Sequence, residues 1–184
     1  MVEDGYFRIR VRQSGREFGF SPAFIRTARL GTPKEILDIW AGLHVGTPET
    51  QIPFADEVLS AYCDEPEEVF EILGGYTAEG TYIAGAMPTY SRILLARRLM
   101  EHGIVGTLKL ETGGKPCKAA EGFFVAEFIA QAVVHLGMSK SDAQNLTMTE
   151  FQRCLRAKYP KLDTSAESED MLGELKKWRE DRNA

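Results

Sequence analysis

The sequence predicts a mainly α (α+β) fold: a helical, bundle-like domain with a short N-terminal β-hairpin and a C-terminal amphipathic helix. Three observations predict it. Phe7, Ile9 and Val11 alternate with Arg8, Arg10 and Arg12, the two-residue period of a strand with one wet face, and Glu17 to Phe20 form a return strand after the turn Gln13-Ser14-Gly15-Arg16. From Ser21 onward, hydroxyl residues repeatedly stand just before a proline or three residues before a carboxylate, which are helix starts. The segment Phe123 to Leu136 is apolar almost all round, the pattern of a central helix buried by several others.

Taken in order, the hairpin covers 6–20 and needs a helix to pack on, because two strands alone are marginal in water. Ser21-Pro22 opens a helix that Gly31 stops, and Thr32-Pro33 opens a second through KEILDIWAGLH. Thr47-Pro48 repeats the device, with the next helix placed at Ile52 to Cys63. The acidic EPEEVFEIL adds a helix whose carboxylates sit at its positive end, and Gly74-Gly75 ends it. TYSRILLARRLMEHG sets Ile93, Ala96, Leu99 and Met100 on one side of an amphipathic helix, with Gly103 as its stop. IVGTLKL reads as a strand or an extended connection, and ETGGKPCK is a loop rich in breakers. In GMSKSDAQNLTMTEFQRCLRAKYP, Ser139 precedes Asp142 by three and Thr147 precedes Glu150 by three, so two short helices follow each other abruptly. Residues 1–160 are read as one globular domain, and 161–184 as the polar linker KLDTSAESED followed by a terminal helix. That helix carries Met171, Leu172, Leu175 and Trp178 on one stripe.

At 184 residues and 43% hydrophobic content the chain can bury one sizeable core without staples. Cys63, Cys117 and Cys154 are odd in number and widely separated, which fits neither a disulfide framework nor a CxxC site and points to a reducing compartment. The start MVEDGYFRIR lacks the apolar core of a signal peptide, and GFFVAEFIAQAVVHLG is interrupted by Glu127 and Gln131, so no membrane segment is expected. The net charge of -5 is unevenly spread: +4 over residues 1–34, -11 over 35–80 (which hold no Lys or Arg), +4 over 81–120 and -2 over the remainder. The plain reading is that basic and acidic blocks meet within one fold. The sharper one is that Arg8, Arg10 and Arg12 form a basic patch and Asp64, Glu65, Glu67 and Glu68 an acidic one, complementary between copies in a homo-oligomer or toward a partner. Nucleic acid is disfavoured, because uncompensated carboxylates repel phosphates.

The motifs of catalysis are missing. His44, His102 and His135 lack metal-ligand spacing, the GGK of ETGGKPCK lacks the full phosphate-loop pattern, and there is no GxSxG. Cys117 beside a breaker-rich loop reads as a small residue rather than a nucleophile, and the acidic cluster reads as a solvated, dipole-favoured face. The expectation is a protein that is not an enzyme and takes no cofactor and no metal.

Three segments carry a resemblance: FGFSPAFIRTARLGTPKEILDIW, YIAGAMPTYSRILLARRLMEHGIVG and FFVAEFIAQAVVHLGMSKSDAQNLTMTEFQRCLRAKYP. They resemble a family of small tailed-bacteriophage proteins, and the last is similar to an ending found in phage tail assembly chaperones. The resemblance implies a non-catalytic morphogenesis factor in the host cell cytoplasm that holds the tape measure protein, or a tail tube protein, during tail assembly. A structural virion protein of the neck or tail is the alternative. On this reading Leu146, Met148, Phe151 and Leu155 close the bundle around the Phe123 to Leu136 helix. Leu146 and Met148, with Met171, Leu172, Leu175 and Trp178 of the terminal stripe, are the candidate partner contacts. A DNA-reading helix-turn-helix using Arg153, Arg156 and Lys158 ranks below both, because its first helix is very short and the surrounding charge is acidic, and an unrecognised enzyme stands beside it as the third class. The non-catalytic expectation is tested by elemental analysis of protein purified without a histidine tag, which should find no stoichiometric zinc, manganese or iron.

Overall fold

The alternating start of the chain does pair as a hairpin. In the computed structural model, which describes residues 4–107 and 121–159, β1 (Phe7–Arg10) runs antiparallel to β2 (Glu17–Phe20), with Phe7 opposite Phe20 and Ile9 opposite Phe18. One face of the pair is therefore apolar, and Phe18 and Phe20 are buried while Arg8 and Arg10 stay exposed.

Eight α-helices follow among the described residues: α1 (Phe24–Thr27), α2 (Pro33–His44), α3 (Pro48–Tyr62), α4 (Phe70–Leu73), α5 (Thr89–Met100), α6 (Val125–Gln131), α7 (Lys140–Asn145) and α8 (Met148–Lys158). The α2 start is the expected capping box: Glu35 N–H donates to Thr32 Oγ1 at 3.4 Å, and Thr32 N–H donates to the Glu35 carboxylate at 2.6 Å. At α8, Thr147 and Glu150 do the same at 3.1 and 2.9 Å, and Ser139 Oγ caps α7 by accepting from Asp142 N–H at 3.1 Å.

Other boundaries differ from the sequence reading. The helix after Ser21-Pro22 begins at Phe24, because Ser21 N–H is taken by the Tyr62 carbonyl at 3.0 Å and the chain is still extended at Ala23. The α3 helix begins at Pro48 rather than Ile52; Pro53 lies inside it on the exposed side, where water can serve the Glu49 carbonyl that its missing N–H leaves free. EPEEVFEIL forms a 3-10 turn at Pro66–Glu68 and the single-turn α4. Gly74-Gly75 does more than end it: β3 (Gly74–Tyr76) pairs antiparallel with β4 (Tyr82–Ala84) in a second hairpin. Gly103 is not the stop of α5. The helix continues as a π turn through Glu101–Val105 and ends at Gly106, whose φ of 77° is the positive value a helix stop favours. Gly103 sits inside that turn because a Cβ there would come within 2.8 Å of the Tyr62 hydroxyl.

The largest correction concerns Phe123 to Leu136. This segment, α6 with a π extension at Ala132–Leu136, is peripheral. It packs on α1, α7 and α8, and Phe128 stacks on Phe24 and Phe123 with ring centroids 5.9 and 4.9 Å apart. Of its residues from Val125 on, only Val125 and Ala132 are fully buried. The central pair is instead α3 and α5, whose Ala55, Val58, Leu59, Ala96, Leu99 and Met100 are inaccessible to solvent. Tyr62 lies among them, fully buried, with its hydroxyl 3.1 Å from Thr27 Oγ1 and 3.4 Å from Met100 Sδ. The expected terminal helix at 171–184, its linker and the ETGGKPCK loop lie outside the described residues.

Two substitutions separate packing from hydrogen bonding here. In urea unfolding, Leu99→Ala should cost about 2–5 kcal/mol, the loss for a large core side chain. Tyr62→Phe, which keeps the ring and removes only the hydroxyl, should cost about 1 kcal/mol.

Candidate functional site

The charge stripes of the sequence meet inside one molecule. Arg16, in the turn between β1 and β2, reaches Glu65 at 2.8 Å, Glu71 at 3.7 Å and Glu68. Ser14 donates to Glu71, and Arg26 of α1 pairs with Asp64 at 2.5 Å. Of the four acidic-patch residues, Asp64, Glu65 and Glu68 are thus engaged by the chain's own arginines; Glu67 is exposed. Arg8, Arg10 and Arg12 are exposed on the other side of the hairpin, and Arg10 Nε donates to the Gly15 carbonyl at 3.3 Å. Arg10 and Arg12 also border a cleft of about 510 Å³ floored by Ile9, Val11, Met87 and Leu95.

Inside, the cations of α5 are structural. Arg92, 7% exposed, donates to the Met87 carbonyl at 2.9 Å and to Asp56 at 3.2 Å. Burial raises the Asp56 carboxyl above its usual value, and Arg92 offsets part of that rise. Arg97 donates to the Leu43 carbonyl at 2.7 Å and to Gln51 at 3.1 Å, joining α5 to α2 and α3.

The joint between α7 and α8 has a definite task. The Leu146 carbonyl accepts from Phe24 N–H at 2.9 Å, and so satisfies the first free donor of α1, which has no side-chain cap of its own. Glu150, already in the α8 capping box, also accepts from the Tyr6 hydroxyl at 3.1 Å. That hydroxyl is pushed up to about 12 by burial and by the Glu150 charge. Met148 is buried and Leu146 half-buried, so these two face the domain's own core. Two cations of the helix-turn-helix alternative are exposed and engaged by the domain itself: Arg153 pairs with Asp4, and Lys158 donates to the His135 carbonyl. Met171, Leu172, Leu175 and Trp178 lie outside the described residues.

The groups of nucleophilic and metal chemistry are dispersed. His44 bonds the Trp40 carbonyl at 2.8 Å, His102 lies 3.0 Å from Thr149 Oγ1, and His135 is exposed. Burial pushes the Cys63 thiol up, away from the reactive thiolate. Among the described residues no three His, Cys, Asp or Glu side chains are grouped to hold a metal ion, and no helix is long and apolar enough to cross a membrane.

What the surface does offer is apolar. The β3–β4 hairpin exposes Tyr76 (75%), Tyr82 (52%) and Ile83 (47%), with the two tyrosine rings edge to face at 5.3 Å. The sequence held a signal for it: GGYTAEGTYIAG places an aromatic residue on either side of a Gly-containing turn, but its strands are three residues long and flanked by glycine. The second apolar surface is the outer flank of α6, where Ala126, Ala130 and Val134 are exposed.

Residues 49–171 match the model of a family of unknown function, DUF6246. The chain belongs to this family. The matched part starts in the first turn of α3 and takes in the β3–β4 hairpin, α5, α6 and both capped helices; β1, β2, α1 and α2 precede it. No curated protein and no solved structure matches the chain.

His102 provides a pH test of this DUF6246 domain. Burial lowers its imidazole below the ordinary 6.5; Arg153 and Arg98 act in the same direction, while Glu101 and Asp4 oppose it. The folded state therefore binds fewer protons than the unfolded one. Its contribution is complete above pH 6.5 and is lost as pH falls below that value toward the folded pKa. Urea unfolding between pH 7 and 5.5 should show wild type losing stability and His102→Asn losing less.

Proposed function

We propose that this protein is a non-catalytic phage morphogenesis factor of the tail assembly chaperone type, which binds the tape measure or a tail tube protein through the β3–β4 hairpin. The observation that carries the reading is the exposed aromatic and aliphatic surface of that hairpin. A two-stranded hairpin is marginal on its own, and Tyr76, Tyr82 and Ile83 leave it with apolar surface to cover. Tyrosine suits such a contact, since its ring gives area and its hydroxyl tolerates water when the partner is absent. The likeness of three segments to tailed-phage proteins supplies the partner class, and the host cytoplasm is where such a factor acts. Internal pairing of Asp64, Glu65 and Glu68 favours an apolar contact over an electrostatic one.

The test is co-expression with a phage tape measure protein and, separately, with a tail tube protein. The wild type should co-purify with one of them, and Tyr76→Ser/Tyr82→Ser/Ile83→Ser should lose at least tenfold of that recovery. Because the three side chains are exposed, thermal unfolding of the triple variant should move by no more than a few degrees. Mass spectrometry of purified virions should find the protein absent; stoichiometric copies there would assign it to the virion instead.

A further inference from the structure

The register of the N-terminal hairpin shows which backbone groups of β1 are free. Asp64 N–H donates to the Gly19 carbonyl at 2.8 Å, so Gly19 turns its backbone groups away from β1. Arg8 stands opposite Gly19 and therefore turns its own N–H and carbonyl away from β2, and Arg10, two residues on, does the same. Among the described residues no backbone group pairs with them. The cleft of about 510 Å³ bordered by Arg10 and Arg12 opens on this free side, because its walls come from β1 and the start of α5 and no residue of β2 lines it. Its floor is apolar, with Ile9 and Val11 facing Met87 and Leu95, and no carboxylate lines it. Among the described residues Arg8, Arg10 and Arg12 form no ion pair.

We propose that β1 is a docking edge, to which a partner protein adds an extended segment of alternating apolar and acidic residues as a third strand. Side chains of a strand added here alternate between the two faces that β1 already defines. One set enters the cleft beside Ile9 and Val11, where apolar side chains are covered; the other lies level with Arg8 and Arg10, where carboxylates are the complement. The outward N–H and carbonyl groups of Arg8 and Arg10 bind the backbone, and the alternation sets the register. Arginines alone would guard an edge against stray pairing, but a guard needs no apolar cleft next to it. A second copy of β1 does not suit the edge, since pairing would bring arginine against arginine on the same face. The site is separate from the β3–β4 surface and does not depend on the tail assembly reading.

The experiment titrates the full chain into a short fluorescein-labelled peptide of alternating valine and glutamate, at low salt, and follows anisotropy. Binding should saturate. Arg10→Glu/Arg12→Glu should weaken it about tenfold or more while thermal unfolding moves by no more than a few degrees, both side chains being exposed; Arg10→Gln/Arg12→Gln is the milder pair if the first does not fold. Hydrogen exchange should show the Arg8 and Arg10 amides slowing when the peptide is added. Absence of saturable binding, equal binding of a peptide with the same residues in two blocks or of one alternating valine and lysine, indifference to the arginine substitutions, or binding that leaves those two amides unchanged would each overturn the assignment. So would amides that are already slow in the full chain and become fast when residues 160–184 are removed, since the chain's own end would then hold the edge.

Discussion

The fold depends on the burial of Tyr62 where three helices meet. Its ring fills the centre of the α3–α5 contact, and its hydroxyl is placed by Thr27 of α1 and Met100 of α5. Its carbonyl is used as well, accepting from Ser21 N–H at 3.0 Å and from Arg26 at 2.8 Å. A buried phenol without partners would be a liability; with them it fixes the angle at which α1 leaves the hairpin. Other features follow from this point. Gly103 is accommodated against the Tyr62 hydroxyl, and Cys63, the next residue, bridges to Phe20 of β2. The hairpin thus gains the support that its two strands cannot supply.

Electrostatics complement this arrangement rather than drive it. The chain is strongly striped in charge, yet the stripes close on one another: Arg16 lies within reach of three carboxylates, and Arg26, Arg92 and Arg153 each have one. The Arg16 cluster is exposed, where water and salt screen each pair, so its effect is to orient the acidic turn before α4 rather than to stabilise the domain greatly. Arg92 differs, because its guanidinium is enclosed and its partners are matched to it. The surface that remains distinctive is apolar, and it is split between a hairpin and a helix flank.

Much of this was legible from local chemistry. The Thr32/Glu35 and Thr147/Glu150 boxes, the Ser139 cap and the period-two hairpin depend on neighbours in sequence, and each lies where its residue types put it. The inner side of α5 was legible for the same reason, since Ile93, Ala96, Leu99 and Met100 mark it by spacing alone. Position in the bundle was not. Phe123 to Leu136 is more apolar than α3, yet α3 takes the centre because Ala55, Val58, Leu59 and Tyr62 present one close-fitting face to α5. Total hydrophobicity ranks how much surface a helix must cover, not what covers it. The second hairpin escaped because its pairing is set by the return of Met87 N–H to the Ile72 carbonyl, a contact that no three-residue pattern encodes. Of the candidate contacts within the described residues, Met148 is buried in the core and Leu146 is partly buried against it.

The bond from Tyr6 to Glu150 joins residues 144 positions apart, and the Phe24 N–H to Leu146 bond spans nearly as much of the chain. The first cannot form until the chain has been made through Glu150, nor the second until it has been made through Leu146. At ribosomal rates of about 5–20 residues per second, that separation is a delay of roughly 7 to 30 s between the emergence of the two ends of the first bond. Through that interval α1 lacks the acceptor for its first donor, and Phe24 lacks both Phe128 and Phe151 against its ring. Closing so long a loop late in synthesis makes the nascent chain, with its aromatic face open, the form of this molecule most exposed to aggregation.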